Sequence, residues 1–231
     1  MERPLELQLE KLRTRIIKMS SLVDEQVELA IRCIEQEQPD LIPLITERDQ
    51  KIDAHDLKID KTCQKIFALN HPLAQDLRII MAALTINSNL ERIGDIAVNI
   101  AQNYHYVGSK PEFFARTCFS QMAEIVREML RLAIDSFINI DARLAQVVIQ
   151  KDRELDRLNK ENHRIMIEIM KERTEYIEPA VALLVISRQL ERIGDHATNI
   201  AEDIYFIKEA QVIKHNYDAV FQDDDDSGDD E

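Results

Sequence analysis

Apolar residues recur at helical spacing from the start of the chain. Leu5, Leu9, Leu12, Ile16, Met19, Val23, Val27, Ala30, Ile31 and Ile34 fall on one stripe, which predicts a helix over about residues 5–37. Pro39 closes it, because proline lacks the N–H that a helix interior needs. A second helical pattern covers about 40–69 and stops at Asn70-His71-Pro72, and a third covers about 73–106. Gly108-Ser109-Lys110-Pro111 reads as a loop, with Pro111 suited to the first turn of the next helix. Further helices are expected near 112–138, 141–174 and 178–210. No alternating strand pattern competes, so the fold class is all-α.

The chain also repeats itself. Residues 90–101 read Leu-Glu-Arg-Ile-Gly-Asp-Ile-Ala-Val-Asn-Ile-Ala, and residues 190–201 match them at ten of twelve positions, differing at Ile96/His196 and Val98/Thr198. Upstream the match continues at an offset of 103, pairing Met19 with Met122, Val23 with Val126, Asp49 with Asp152 and Asp53 with Asp156. The offset then shrinks to 100 near the turn between the second and third helix of each copy. Fixed-period similarity of this kind marks a duplicated structural unit. Short connections make successive helices antiparallel neighbours. The expected architecture is two tandem, pseudo-symmetric three-helix bundles, or one six-helix array with the same internal symmetry. Residues 1–108 form the first repeat, 109–212 the second and 213–231 a disordered acidic tail. The starts of the two third helices, Ile79–Ile86 and Ala180–Ile186, are apolar nearly all round, which predicts burial between the copies or at a dimer seam.

Charge narrows the function. The net charge is −14, and half of that excess lies in residues 223–231. No basic stripe is available to neutralise phosphates along a nucleic acid. The longest apolar stretches fall well short of the ~20 residues that span a bilayer, and the first residues carry no apolar signal core. Cys33, Cys63 and Cys118 are far apart and odd in number, which suits reduced, buried thiols and a cytoplasmic location.

Acidic pairs carry the candidate chemistry. Glu91/Asp95, Glu191/Asp195, Asp49/Asp53 and Asp152/Asp156 are each spaced i,i+4, so the members of a pair lie about 40° apart on one helix face. Any one pair means little where 43 of 231 residues are acidic. Their registration means more. Counted from the helical turn of each copy, the two pairs lie at nearly equal distances, so four carboxylates meet at one height, within ~3 Å in the first copy. Arg92 and Arg192 could balance part of that charge. Two readings stand: an all-oxygen site for a hard or borderline cation such as Mg²⁺, Mn²⁺, Fe or Zn²⁺, or an arginine-balanced acidic surface that faces a partner. Either belongs in an outer groove. Gly94 and Gly194 cost about 1 kcal/mol each against alanine, so close approach of a neighbouring backbone is expected there. His163 and His196 occur only in the second copy and read as surface histidines or as extra ligands.

The twice-present Leu-Glu-Arg-Ile-Gly-Asp-x-Ala-x-Asn-Ile-Ala, each preceded by Asp-x-x-x-Asp on the helix before, resembles the PhoU family over about residues 5–210. That resemblance implies paired three-helix bundles, dimers, and a regulatory role beside the phosphate-specific ABC transporter. There, restraint of phosphate uptake and an off state of the phosphate-sensing histidine kinase are expected. It also implies iron or zinc clusters on acidic motifs that match Asp49, Asp53, Glu91 and Asp95, then Asp152, Asp156, Glu191 and Asp195. Membrane association would come through those partners, without direct insertion. The acidic tail departs from the family pattern and reads as a solubilising end or as a tether for a basic partner.

Two other classes compete. A ferritin-like di-metal oxidase needs Glu-x-x-His on inward-facing helices, and none of the six histidines has that glutamate. A helical scaffold explains the apolar positions but not acidic pairs recurring at matched heights. No nucleophile–base arrangement or phosphate-binding glycine loop is legible, so no enzyme activity is expected.

Overall fold

The computed structural model describes residues 4–70, 72 and 74–210, so the expected acidic tail at 213–231 lies outside the described residues. Six long helices follow one another: α1 (Pro4–Glu35), α2 (Leu41–Leu69), α3 (Ala74–Val107), α4 (Phe119–Asn139), α5 (Ala142–Glu172) and α6 (Ile177–Glu209). Short 3-10 turns at Phe114–Arg116 and Thr174–Tyr176 precede α4 and α6. Leu12, Ile16, Met19, Val23, Val27, Ala30 and Ile34 of the expected first stripe are all buried.

α4 starts at Phe119, not near residue 112 as the sequence suggested. The cause is a pair of adjacent aromatics. A helix would turn Phe113 and Phe114 about 100° apart, yet both are buried. The irregular chain lets Phe113 pack edge-on to Tyr176, with ring centroids 5.1 Å apart, while Phe114 meets Phe119 at 5.3 Å. The side chain of the fully buried Asn162 then receives the Cys118 N–H at 2.9 Å and donates to Ser187 Oγ at 2.7 Å, fixing where α4 begins.

α1, α2 and α3 pack on one another, as do α4, α5 and α6, and the most extensive contact of all joins α3 to α6. These two helices run antiparallel: Ile79 lines the same pocket as Ile207, and Asn89 meets His196 and Asn199. Buried alanines at 82, 83, 97 and 101 on α3, and at 180, 182, 197 and 201 on α6, keep both helices slim. Arg127 of α4 adds ion pairs to Glu28 and Glu35 of α1, at 2.7 and 3.0 Å. The apolar starts of α3 and α6 are therefore only partly covered. Ile80, Ala83, Leu183 and Ile186 are buried, whereas Met81 and Val181 remain 51% and 47% exposed. All three cysteines are free and buried. Among the described residues no helix is long and apolar enough to cross a membrane.

The α4–α5 connection is tight. Ile140 adopts a left-handed backbone (φ 49°), and Asp141 caps α5 by accepting the N–H groups of Arg143 and Leu144 at 2.8 and 3.4 Å. Removing such a cap costs ~1 kcal/mol. Asp141→Ala should therefore lower the unfolding midpoint by ~2–4 °C, read by circular dichroism. An unchanged midpoint would contradict the capping role.

Candidate functional site: two carboxylate grooves

In the first copy the buried Gln26 of α1 organises the site. Its side-chain amide donates to Asp49 Oδ1 of α2 at 2.9 Å and to the Gly94 carbonyl of α3 at 3.1 Å. Asp49 thus lies beside the turn that carries Glu91 and Asp95. Asp49 and Glu91 are half-buried, while Asp53 and Asp95 are exposed. Burial pushes the Asp49 carboxyl up; the Gln26 hydrogen bond opposes this, and Asp53 and Asp95 add to it. Burial also raises Glu91, followed by repulsion from Asp95, Asp56 and Asp53, with Arg92 the smallest, opposing influence.

Two further acids join this surface. The buried Asn87 donates to Asp56 Oδ1 at 2.6 Å and to Asp60 Oδ1 at 3.2 Å, and Asp56 is raised by burial and then by Asp60. Their signal was present: Asp49, Asp53, Asp56 and Asp60 advance by steps of four, three and four, which keeps one helix face.

The second copy keeps the frame and changes the chemistry. Asp152 and Asp156 of α5 are half-buried, Asp195 of α6 is exposed, and Glu191 is buried at 7% exposure. The position of Gln26 is taken by Met129, and the hydroxyl of Thr198, which replaces Val98, is the polar neighbour of Asp152 instead. Burial, then repulsion from Asp195 and Asp156, pushes Asp152 up to about 6, with the Thr198 hydroxyl opposing. Glu191 is pushed up to about 7 by burial and then by Asp195, against the nearby Arg188. Glu191 Oε1 accepts from Arg188 Nη1, while Oε2 is buried without a hydrogen-bond partner. Arg188 is thus the cation hydrogen-bonded to Glu191, while Arg192, whose guanidinium donates to Gln189, adds a weaker balancing influence on Asp195. Glu191 itself lies deeper than an outer groove implied.

The glycines are explained differently from the expectation. A Cβ on Gly94 would stand 3.1 Å from Ile52 Cδ1 and 3.4 Å from Asp49 Oδ1, and one on Gly194 would stand 2.4 Å from Leu155 Cδ2 and 3.5 Å from Asp152 Oδ1. Side chains of the preceding helix, not its backbone, fill the space. The histidines also resolve. His163 is exposed. His196 sits between the copies, where its Nδ1–H donates to Asn89 Oδ1 at 2.9 Å; burial, then Arg92 and Arg192, lower it to about 4.

Among the described residues no three His, Cys, Asp or Glu side chains stand close enough together to hold an ion as placed. The donor chemistry nevertheless fits a hard cation, most of all in the second copy. An unpartnered buried carboxylate oxygen at Glu191 and the mutual repulsion of Asp152, Glu191 and Asp195 would both be relieved by positive charge.

Comparison with known proteins follows the internal duplication. The PhoU domain model matches residues 16–104 and again 119–204. The PhoU homolog of Zymomonas mobilis, a phosphate-specific transport system accessory protein, is 34% identical over 84% of this chain and 82% of its own length. The corresponding homolog of Aquifex aeolicus is 34% identical over 91% of this chain and 95% of its own. The crystal structure of PhoU from Pseudomonas aeruginosa superposes with a TM-score of 0.85 at 32% identity, covering 89% of this chain and 99% of that one.

The raised Glu191 has a measurable consequence in metal-free protein. The folded chain holds its proton at pH values where the unfolded chain has lost it, so folding takes up a proton between 4.5 and about 7. Stability contributed by this group is therefore lost as pH rises through that window. The midpoint of Glu191→Gln relative to the unsubstituted protein should climb between about pH 5 and about pH 8, by several degrees, at ~1.4 kcal/mol per pKa unit and ~2–4 °C per kcal/mol. A difference that is flat with pH would contradict the assigned environment.

Proposed function

The chain belongs to the PhoU family, and on that premise we propose that it is a non-catalytic accessory regulator of the phosphate-specific transport system. In this reading it works from the cytoplasm as a homodimer. It restrains the phosphate ABC transporter and helps hold the phosphate-sensing histidine kinase in its off state while phosphate is plentiful. The carrying observation is the match over 91% of this chain and 95% of the Aquifex aeolicus protein, so the likeness involves a whole accessory protein and not one shared module. The half-exposed apolar flanks at the starts of α3 and α6 support docking to partners. Deleting the gene should derepress phosphate-starvation genes in phosphate-rich medium. Unchanged expression would count against the regulatory role.

The grooves supply a second property. Asp152, Asp156, Glu191 and Asp195, and by symmetry Asp49, Asp53, Glu91 and Asp95, would hold a divalent cation of the hard or borderline class: Mg²⁺, Mn²⁺, Fe or Zn²⁺. Bound there, the ion would supply positive charge against the repelling carboxylates. The unpartnered Glu191 Oε2 favours this site and also keeps alive a second reading, a metal-binding helical scaffold without a phosphate-signalling role. Alanine at Glu91, Asp95, Glu191 and Asp195 together should preserve helicity and abolish metal loading, read by elemental analysis. Protein free of metal after both native purification and reconstitution would remove the site. Metal-loaded protein with unaltered phosphate regulation in the deletion strain would favour the scaffold.

A further inference from the structure

One groove breaks the internal symmetry of the molecule. Lys11 and Arg15 of α1 and Lys58, Lys61 and Lys65 of α2 line a groove of about 490 Å³. None of the five pairs with a carboxylate among the described residues. The imidazole of His55 lies in the same positive field: burial lowers it, and Lys58, Arg15 and Lys18 lower it further. At the offset of 103 the second copy carries Phe114, Cys118, Glu161, Arg164 and Glu168 instead. There Glu161 pairs with Arg157 at 3.1 Å and Glu168 with Lys171 at 2.7 Å. The cationic groove therefore does not follow from the duplicated fold. Five like charges gathered without counter-charge repel one another, and an anion seated among them removes that cost.

We propose that this groove is the docking site of the chain's own acidic C-terminal segment, residues 223–231. That segment carries seven carboxylate side chains and no basic residue, which complements the five cations. The position of α6 supports contact within one chain. Ile207, two residues before its end, lines a pocket with Leu9, Leu12 and Arg13 of α1. The other flank of that same stretch of α1 presents Lys11 and Arg15 to the groove. Only the width of one helix, ~10 Å, separates the two flanks. Asp223 follows Glu209 by 14 residues, enough to span up to ~46 Å when extended. Tethering at that length holds the acidic segment at an effective concentration in the millimolar range. Contacts between exposed charges of this kind are individually weak and screened by salt. Seated there, the segment supplies reversible counter-charge and competes with other polyanions for the groove. This inference stands apart from the regulatory reading and survives its failure.

Zero-length carbodiimide coupling of the full chain, followed by peptide mapping, tests the contact. Amide links should form between carboxylates of 223–231 and Lys11, Lys58, Lys61 or Lys65, and should vanish at high salt. In a mixture of isotopically light and heavy chains they should stay within one chain. Links spread over other lysines, carried between chains, or absent at low salt would overturn the proposal. Inorganic polyphosphate provides the second reading. Neutralising Asp223, Asp224, Asp225 and Asp226 to asparagine should strengthen polyphosphate binding at least tenfold. The gain should be lost when Lys58→Gln, Lys61→Gln and Lys65→Gln are combined with those changes. Equal affinity of the original and tail-neutralised chains would overturn the proposal and make the groove an open site for a phosphate-bearing polyanion.

Discussion

Repulsion between carboxylates of neighbouring helices is the constraint around which each half of this molecule is arranged. The hairpins α2–α3 and α5–α6 bring an aspartate of one helix against the glycine step of the next, so that Asp49 faces Gly94 and Asp152 faces Gly194. With a Cβ at either glycine the side chains of the preceding helix would have to shift, most of all at Gly194, where Leu155 Cδ2 already occupies the space. Repulsion among the acids works against this register. The apolar side of the same helices holds it: Ile45, Ile52, Ile59, Ile93, Leu155 and Ile193 are all buried, each contributing ~1.5–3 kcal/mol. A helical core that is stable from one face can tolerate an electrostatically costly opposite face, and functional sites are commonly built that way.

The duplication is structural rather than chemical. Both copies share the helices, the glycines and the acidic pairs, but their environments diverge at single positions. Gln26 gives Asp49 an amide donor, and Met129 gives Asp152 none. Arg188 faces Glu191, where the first copy has Ser88 beside Glu91. Asp56 and Asp60 extend the first groove, and Asn159 and His163 replace them in the second. The first groove is more uniformly acidic; the second buries a carboxyl, Glu191, with one oxygen unpartnered. The cationic groove on the outer side of α1 and α2 sharpens the same contrast.

Most of the fold was legible in the sequence because the helices are long, strongly periodic and twice repeated. Boundaries at Pro39, Asn70 and Gly108 follow from local chemistry. The start of α4 does not, since it depends on Phe113 and Phe114 meeting Tyr176 and Phe119 across the second bundle. The convergence of α2 with α3 could be counted along the helices. What surrounds each acid could not, because it is supplied by a third helix: Gln26 and Met129 project from α1 and α4. His196 looked like a surface residue or a ligand until the antiparallel α3–α6 contact placed Asn89 against it. Arg188 was missed for a simpler reason. It lies one turn before Glu191 and just outside the repeated stretch that contains Arg192.

The repulsion between these acids is open to a direct energetic measurement. A double-mutant cycle of Asp152→Asn and Asp195→Asn in metal-free protein, followed by urea unfolding near pH 8, reads their interaction. Repelling neighbours should each yield added stability when neutralised, and the two gains should fall short of additivity by ~0.5 kcal/mol or more. Strictly additive gains would place the two carboxylates beyond each other's influence and contradict the account.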